Sequence, residues 1–339
     1  MKWSKTDITT DSGEIVSAQA PVIISASRST DIPTFYADWF IERWKKGYVK
    51  WRNPFNGNFS YVSFKNARIV VFWTKNPRPL MKHLDYLDEN VKNYYFQFSL
   101  NDYDKEGYEG KVPKLDSRIE SFKELSERIG KEKVIWRFDP LMLTEELGVE
   151  ELLERIKNIG DQLMDHTKKM VFSFADIGIY RKVENNLKRE VIRFKEFDFN
   201  TMRQVAKGLQ ELNKKWNFEI ATCAEKIPLE VYGIKHNKCL DDDLMIELFG
   251  EDKELMEFLG VEFEEPTLFN NSNGFKKTRK LKDGGQREAC GCIMSKDIGQ
   301  YNTCPHACVY CYANTSNEIA LCNYKEHRKD PTTDIITGI

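Results

Sequence analysis

Cys304, Cys308 and Cys311 stand in the run Thr303-Cys304-Pro305-His306-Ala307-Cys308-Val309-Tyr310-Cys311-Tyr312-Ala313, a C-x3-C-x2-C triplet near the end of a 339-residue chain. A structural zinc or an electron-transfer cluster normally takes four protein ligands, so three thiolates leave one coordination position for a substrate or cofactor. Thiolates this close together select a soft metal or a metal cluster. The competing reading is a zinc knuckle completed by His306 or a distant cysteine. His306 on its own reads as a solvent-facing loop residue.

Five more cysteines follow a telling distribution, since none precedes Cys223. Cys223, Cys239, Cys290 and Cys292 could together complete a second [4Fe-4S] cluster or an all-cysteine zinc site. Ordinary buried thiols are the alternative for Cys223 and Cys239. Cys322 reads as structural. With no signal peptide in view, eight cysteines argue for metal or redox chemistry rather than a disulfide framework.

The triplet, with Tyr310 just before its last cysteine, resembles the cluster motif of the radical S-adenosylmethionine (SAM) superfamily. The longer string Cys304-Pro-His-Ala-Cys308-Val-Tyr-Cys311-Tyr-Ala looks like the version in spore photoproduct lyases and their relatives. The whole chain also resembles an uncharacterised bacterial family with such cysteines at its C-terminus. The resemblance implies a [4Fe-4S] cluster on the three cysteines, SAM on its open iron, an external one-electron donor of flavodoxin or ferredoxin type, and Tyr310 packed near the adenine. The chemistry implied is reductive cleavage of SAM to a 5′-deoxyadenosyl radical that abstracts hydrogen from a substrate. The rivals are a zinc-stabilised barrel protein, hydrolytic or binding, and an electron-transfer module.

Such a loop needs a scaffold, and the first two-thirds of the chain reads as one. Apolar β-rich runs at 22–26, 68–73, 94–99, 133–138, 169–174 and 218–222 alternate with helical periodicity at 33–46, 79–89, 115–129, 149–165 and 200–216. That alternation predicts an α/β fold with a parallel sheet, a partial (β/α)6 TIM-like barrel over residues 1–236. Turn residues within 48–64 predict an inserted hairpin that could cover the barrel mouth. Residues 237–288 read as a helical segment and a linker, the cationic run 270–288 being a solvated tether. Residues 289–339 form the cluster segment. In most radical SAM enzymes the cysteine loop follows the first strand; here it follows the last, so it must fold back onto the mouth.

Chemistry in parallel barrels gathers at the C-terminal strand ends. Those ends offer Arg28 and Asp31, then Thr74, Lys75 and Asn76, then Ser99 and Asn101, then Arg137 and Asp139. Arg28, Asp31, Lys75, Arg137 and Asp139 are the candidates for catalysis or for holding SAM and substrate; Thr74, Asn76, Ser99, Asn101 and Tyr310 are the candidates for cofactor binding. Asp31 has a simpler role open to it, capping the helix that starts near Pro33. Lys75 and Arg137 follow apolar strands, where a buried cation needs a partner; a SAM carboxylate would serve. Arg137 and Asp139 share one face of an extended strand, so they could pair with each other.

Composition is that of an ordinary globular protein, 41% apolar and 31% charged with a net charge of −2. Nothing in that balance favours nucleic acid, so a small molecule or peptide is at least as good a substrate class as DNA. No apolar run is long enough to span a bilayer, and a cytoplasmic location is expected.

Overall fold

In the computed structural model, residues 3–263, 275–287 and 289–338 are described. Eight strands form one parallel sheet: β1 (Ile23–Ala26), β2 (Ile69–Thr74), β3 (Tyr94–Ser99), β4 (Val134–Leu141), β5 (Lys169–Phe174), β6 (Glu219–Thr222), β7 (Lys235–His236) and β8 (Lys296–Asp297). Their spatial order runs from β7 through β6, β5, β4, β3 and β2 to β1, with β8 added beside β1. β1 to β6 are the six runs expected from periodicity, and all their pairings are parallel because a helix or a long connection separates each from the next.

The sheet is larger than expected and it is not a closed barrel. β7 and β8 are two residues each, too short to carry the signal of a strand, and they form the two edges. Between those edges the flanking segments meet through a backbone bond, Ile293 N–H to Leu240 O at 3.1 Å. One sheet face carries Ile24, Val70, Phe72, Phe96, Phe98, Trp136 and Phe172 against the connecting helices. The other carries Ile23, Ile69, Val71, Tyr95, Ile135 and Val171, and it is filled by Leu240, Met245, Leu255 and Met256. The last three come from helices Asp242–Phe249 and Lys253–Leu259. Both faces are therefore buried, which is why these strands are continuously apolar rather than alternating.

Helices Leu115–Ile129, Val149–Leu163 and Phe199–Trp216 lie close to their expected bounds. The two shorter ones do not run through. The first breaks at Tyr36 into Ile32–Phe35 and Ala37–Lys46, the second into Arg78–Met81 and Leu84–Asn90. The hairpin is Tyr48–Arg52 against Phe59–Ser63, and Phe59–Ser63 also pairs with Ile15–Ala20 in a separate four-stranded sheet. It leans on the β8 side: Trp51 donates its indole N–H to Gly299 O at 3.1 Å and lies under the Lys296 ammonium.

The expected tether is tied down where it is described. Phe275–Lys277 pairs antiparallel with Val261–Phe263, and the Lys277 ammonium bridges Asp242, at 2.6 Å, and Asp243. Arg287 meets Asp176 at 2.8 Å. The Asn270–Gly274 turn lies outside the described residues.

β8 brings the tail home. Lys296 and Asp297 stand beside Ile24 and Ser25, and the Asp297 carboxylate accepts from Ser25, Ser27 and Ser29 hydroxyls and from the backbone N–H groups of Arg28 and Gly299, at 2.7–3.2 Å. Gly299 permits this fit, because a Cβ there would lie 1.9 Å from Ser27 Oγ. Gly299→Ala should therefore destabilise by about 1–3 kcal/mol through overpacking and open the tail to protease first. Unchanged melting and proteolysis would refute that docking.

Lys296 is 9% exposed, and burial pushes its pKa down from 10.5 to about 8. A base whose folded pKa is below its unfolded value is favoured neutral, so the cost of burying its cation is fully present below pH 8 and relieved between pH 8 and 10.5. Lys296→Met should raise stability at pH 7 by roughly 1–3 kcal/mol, with the difference from wild type shrinking above pH 8. Denaturant melts at pH 7 and pH 10 check this; a gain independent of pH would contradict it.

Candidate functional site

The C-terminal ends of β1 to β4 form a mouth, and the cysteine loop sits over it. Tyr36 donates its hydroxyl to Thr303 O at 2.5 Å, Val309 N–H bonds Tyr108 O at 2.9 Å, and Lys111 N–H bonds His306 O at 2.9 Å. Glu109 and Cys308 form an isolated antiparallel bridge. Tyr312 reaches the other side of the mouth, donating to Arg28 O at 2.9 Å.

Inside the loop Cys308 is buried and Cys304 and Cys311 are half-buried. Burial pushes all three thiols above the ordinary thiol range, and each is raised further by another of the triplet or lowered by nearby cations and N–H groups. No three cysteine Sγ atoms in the chain lie within 4.8 Å of one another. The triplet is thus gathered on one loop, with its sulfurs not all in mutual contact.

His306 is not the solvent-facing residue its position suggested. It is 2% exposed, with Nε2 2.8 Å from the Asp31 carboxylate and its ring edge-on to Phe35. The cause is Asp31, which does cap its helix (Thr34 N–H at 2.9 Å) but turns its second oxygen to Lys75 N–H at 2.7 Å and to His306. Asp31 therefore pins the loop to β1 and β2 in one contact.

Lys75 finds its partner within the chain. Its ammonium lies 2.6 Å from Glu109 and 3.0 Å from the Tyr310 hydroxyl. Glu109, its side chain 1% exposed, also takes Arg118 at 3.0 Å, the Tyr310 hydroxyl, and Asn101 Nδ2 at 3.1 Å. Burial opposes its charge, yet Lys75 and Arg118 hold its carboxyl below the ordinary range. Glu109 and Arg118 carried no sequence signal, since they converge from a turn-rich connection and the helix after it.

Arg137 likewise pairs inside the chain, with Asp139, and also bonds Gln97 at 3.2 Å and Cys239 Sγ at 3.1 Å. Asp139 is bound in turn by Ser173 and by its own N–H to Asn101 Oδ1 at 2.9 Å. Lys75 and Arg137 therefore each have a carboxylate partner inside the chain, for Arg137 the one that strand periodicity offered. Arg28 is the looser one, 3.8 Å from Asp297 and 3.9 Å from Asp283. Thr74 Oγ1 meets Thr34 Oγ1 at 3.3 Å, the Asn76 side chain accepts from Arg78 N–H at 3.3 Å, and Asn101 is fully buried in the network just described.

Buried side-chain atoms near the mouth without a partner among the described residues include Thr30 Oγ1, His306 Nδ1 and Trp73 Nε1. The Trp73 indole N–H is buried and unpaired, with the Arg137 guanidinium 5.2 Å from its ring. Ser99, half-buried, stands beside Arg137 in register. Sequence reading missed Trp73 because its strand looked like core. Glu225, after β6, accepts from Phe174 N–H at 3.0 Å, and burial pushes its pKa up to about 7.

The second cysteine set also converges. Cys223 and Cys239 Sγ atoms are 3.3 Å apart, Cys239 N–H donates to Cys292 Sγ at 3.2 Å, and Asn237 Nδ2 is 3.2 Å from Cys239 Sγ. Hydrogen bonds from Cys223 and Cys292, then the Arg137 charge, hold Cys239 well below the ordinary thiol range, while its neighbours keep their protons. Cys322 is apart from both sets, exposed on helix Asn317–His327.

A parallel eight-stranded sheet with a cysteine loop seated over its strand ends defines an α/β protein with a candidate soft-metal centre. The chain belongs to the DUF1848 family, a domain of unknown function, whose profile matches residues 23–313. No curated protein and no solved structure matches the chain. The matched span opens on the first residue of β1 and closes two residues past Cys311, so the strands of the parallel sheet and the cysteine loop fall in one family unit. No helix among the described residues is long and apolar enough to cross a membrane.

Proposed function

We propose that this chain is a radical SAM enzyme built on a curled, TIM-like sheet whose cluster loop arrives from the C-terminal side. The observation that carries the reading is the seating of Cys304, Cys308 and Cys311 over the ends of β1, β2 and β3, beside Asp31, Lys75 and Glu109. The donor set fits a [4Fe-4S] cluster: three soft ligands on one loop, fewer than the four that a structural ion or an electron-transfer cluster takes, with His306 Nε2 held by Asp31. With that cluster and SAM bound, the chemistry supplied is one-electron cleavage of SAM to a 5′-deoxyadenosyl radical that abstracts hydrogen from the substrate.

The chain's own residues hold the pieces. Asp31 and Glu109 anchor the loop; Lys75, Asn101 and Glu109 fix the Tyr310 hydroxyl, so the Tyr310 ring is our assignment for packing against adenine. The Trp73 indole N–H is a buried donor without a partner, which makes it a candidate ligand contact, with half-buried Ser99 at the neighbouring strand end. Arg28, the least saturated cation, is the candidate for a carboxylate of SAM or substrate. The electron would come from a flavodoxin or ferredoxin type donor in the cytoplasm, and the substrate would be a small molecule or peptide before DNA.

Protein purified without oxygen should be brown and hold about four irons at this loop, with broad absorbance in the blue. Colourless protein that takes up only zinc would overturn the proposal.

A further inference from the structure

We propose that Cys223, Cys239, Cys290 and Cys292 hold a tetrahedral zinc ion, a second metal site that staples the seam between the two edges of the sheet. The four come from three separate segments: the end of β6, the turn after β7, and the stretch leading to β8. Chance burial does not bring thiols from three segments into one string, Cys223 Sγ 3.3 Å from Cys239 Sγ and Cys239 N–H 3.2 Å from Cys292 Sγ, with Cys290 two residues before Cys292.

Spacing separates this set from the first. Four sulfurs about 2.3 Å from one tetrahedral ion stand roughly 3.8 Å apart, whereas ligands of a cluster sit on separate irons and are spread further. Cys223 and Cys239, 3.3 Å apart, are on the single-ion scale; no pair in the Cys304 loop makes such a contact. The string is open, since no three of its sulfurs lie mutually within 4.8 Å, so the ion would close it by drawing in its ends. The surroundings favour thiolate: Arg137 and Asn237 donate to Cys239 Sγ at 3.1 and 3.2 Å, and Cys239 N–H donates to Cys292 Sγ. Such second partners orient ligands and offset the charge of a four-thiolate centre. With all four positions filled by protein, the site has no room for substrate, and its role is to fix the tail. It would lock Cys290–Cys292 to Cys239 beside the backbone bond from Ile293 to Leu240 that joins the edges.

The inference stands apart from the cluster at Cys304, Cys308 and Cys311, and its test removes that site. The full chain with those three cysteines changed to alanine, purified anaerobically, should retain one zinc, with X-ray absorption showing four sulfurs near 2.3 Å. Adding Cys239→Ala should drop zinc at least tenfold. Should that variant fail to fold, the triple-alanine chain stripped by chelator and reloaded with cobalt should show tetrahedral thiolate absorption and melt higher than the stripped form. Absence of metal, iron with labile sulfide in place of zinc, or full zinc occupancy in a folded Cys239→Ala chain would each overturn the proposal.

Discussion

Cys308→Ala should abolish reductive SAM cleavage, a fall of more than about 100-fold, beyond what removing an outer-shell partner of a metal ligand costs. Cys308 is the central and most buried cysteine of the triplet and is bridged through its backbone to Glu109. Because that bridge is made by the main chain, alanine keeps it, and the loss should fall on iron binding rather than on folding. Iron content measured beside the melting curve separates the two. A folded variant with undiminished SAM cleavage would show that the ligand assignment is wrong.

Glu109→Ala should be the most damaging single change to stability. Its carboxylate sits between Lys75 and Arg118, the latter fully buried, and removing one partner of a buried ion pair leaves an uncompensated charge, here two. The expected loss is about 3–5 kcal/mol, seen as a melting temperature lowered by on the order of 10 °C. Glu109→Gln, which keeps the shape and one acceptor, should fall between wild type and alanine. A loss below about 1 kcal/mol would mean that solvent reaches these cations and that the loop is not clamped as described.

The parallel strands were readable because each is buried on both faces and so appears as an unbroken apolar run, as in Ile69–Thr74 and Lys169–Phe174. The sheet edges were not. β7 and β8 are two residues long and exist only because distant segments meet, which no local pattern encodes. The same holds at the mouth. Arg137 and Asp139 were visible as a pair because strand periodicity places them on one face, and Asp31 as a cap because of Pro33. Asp297, the residue that docks the tail on three serines, lies in a segment with no apolar period, and Glu109 follows a glycine- and tyrosine-rich turn. His306 was misread since its burial comes from Asp31, 275 residues earlier. What sequence spacing supplied was the identity of groups that meet within single segments; what it lacked was every contact closed by the returning tail.

The most direct measurement of the central claim is 5′-deoxyadenosine release from SAM by the iron-loaded, anaerobic wild-type chain given a strong one-electron reductant. Release that requires the reductant and is absent from the Cys304, Cys308 and Cys311 alanine variant is the expected result. Iron-loaded, folded protein that leaves SAM intact under those conditions would contradict it.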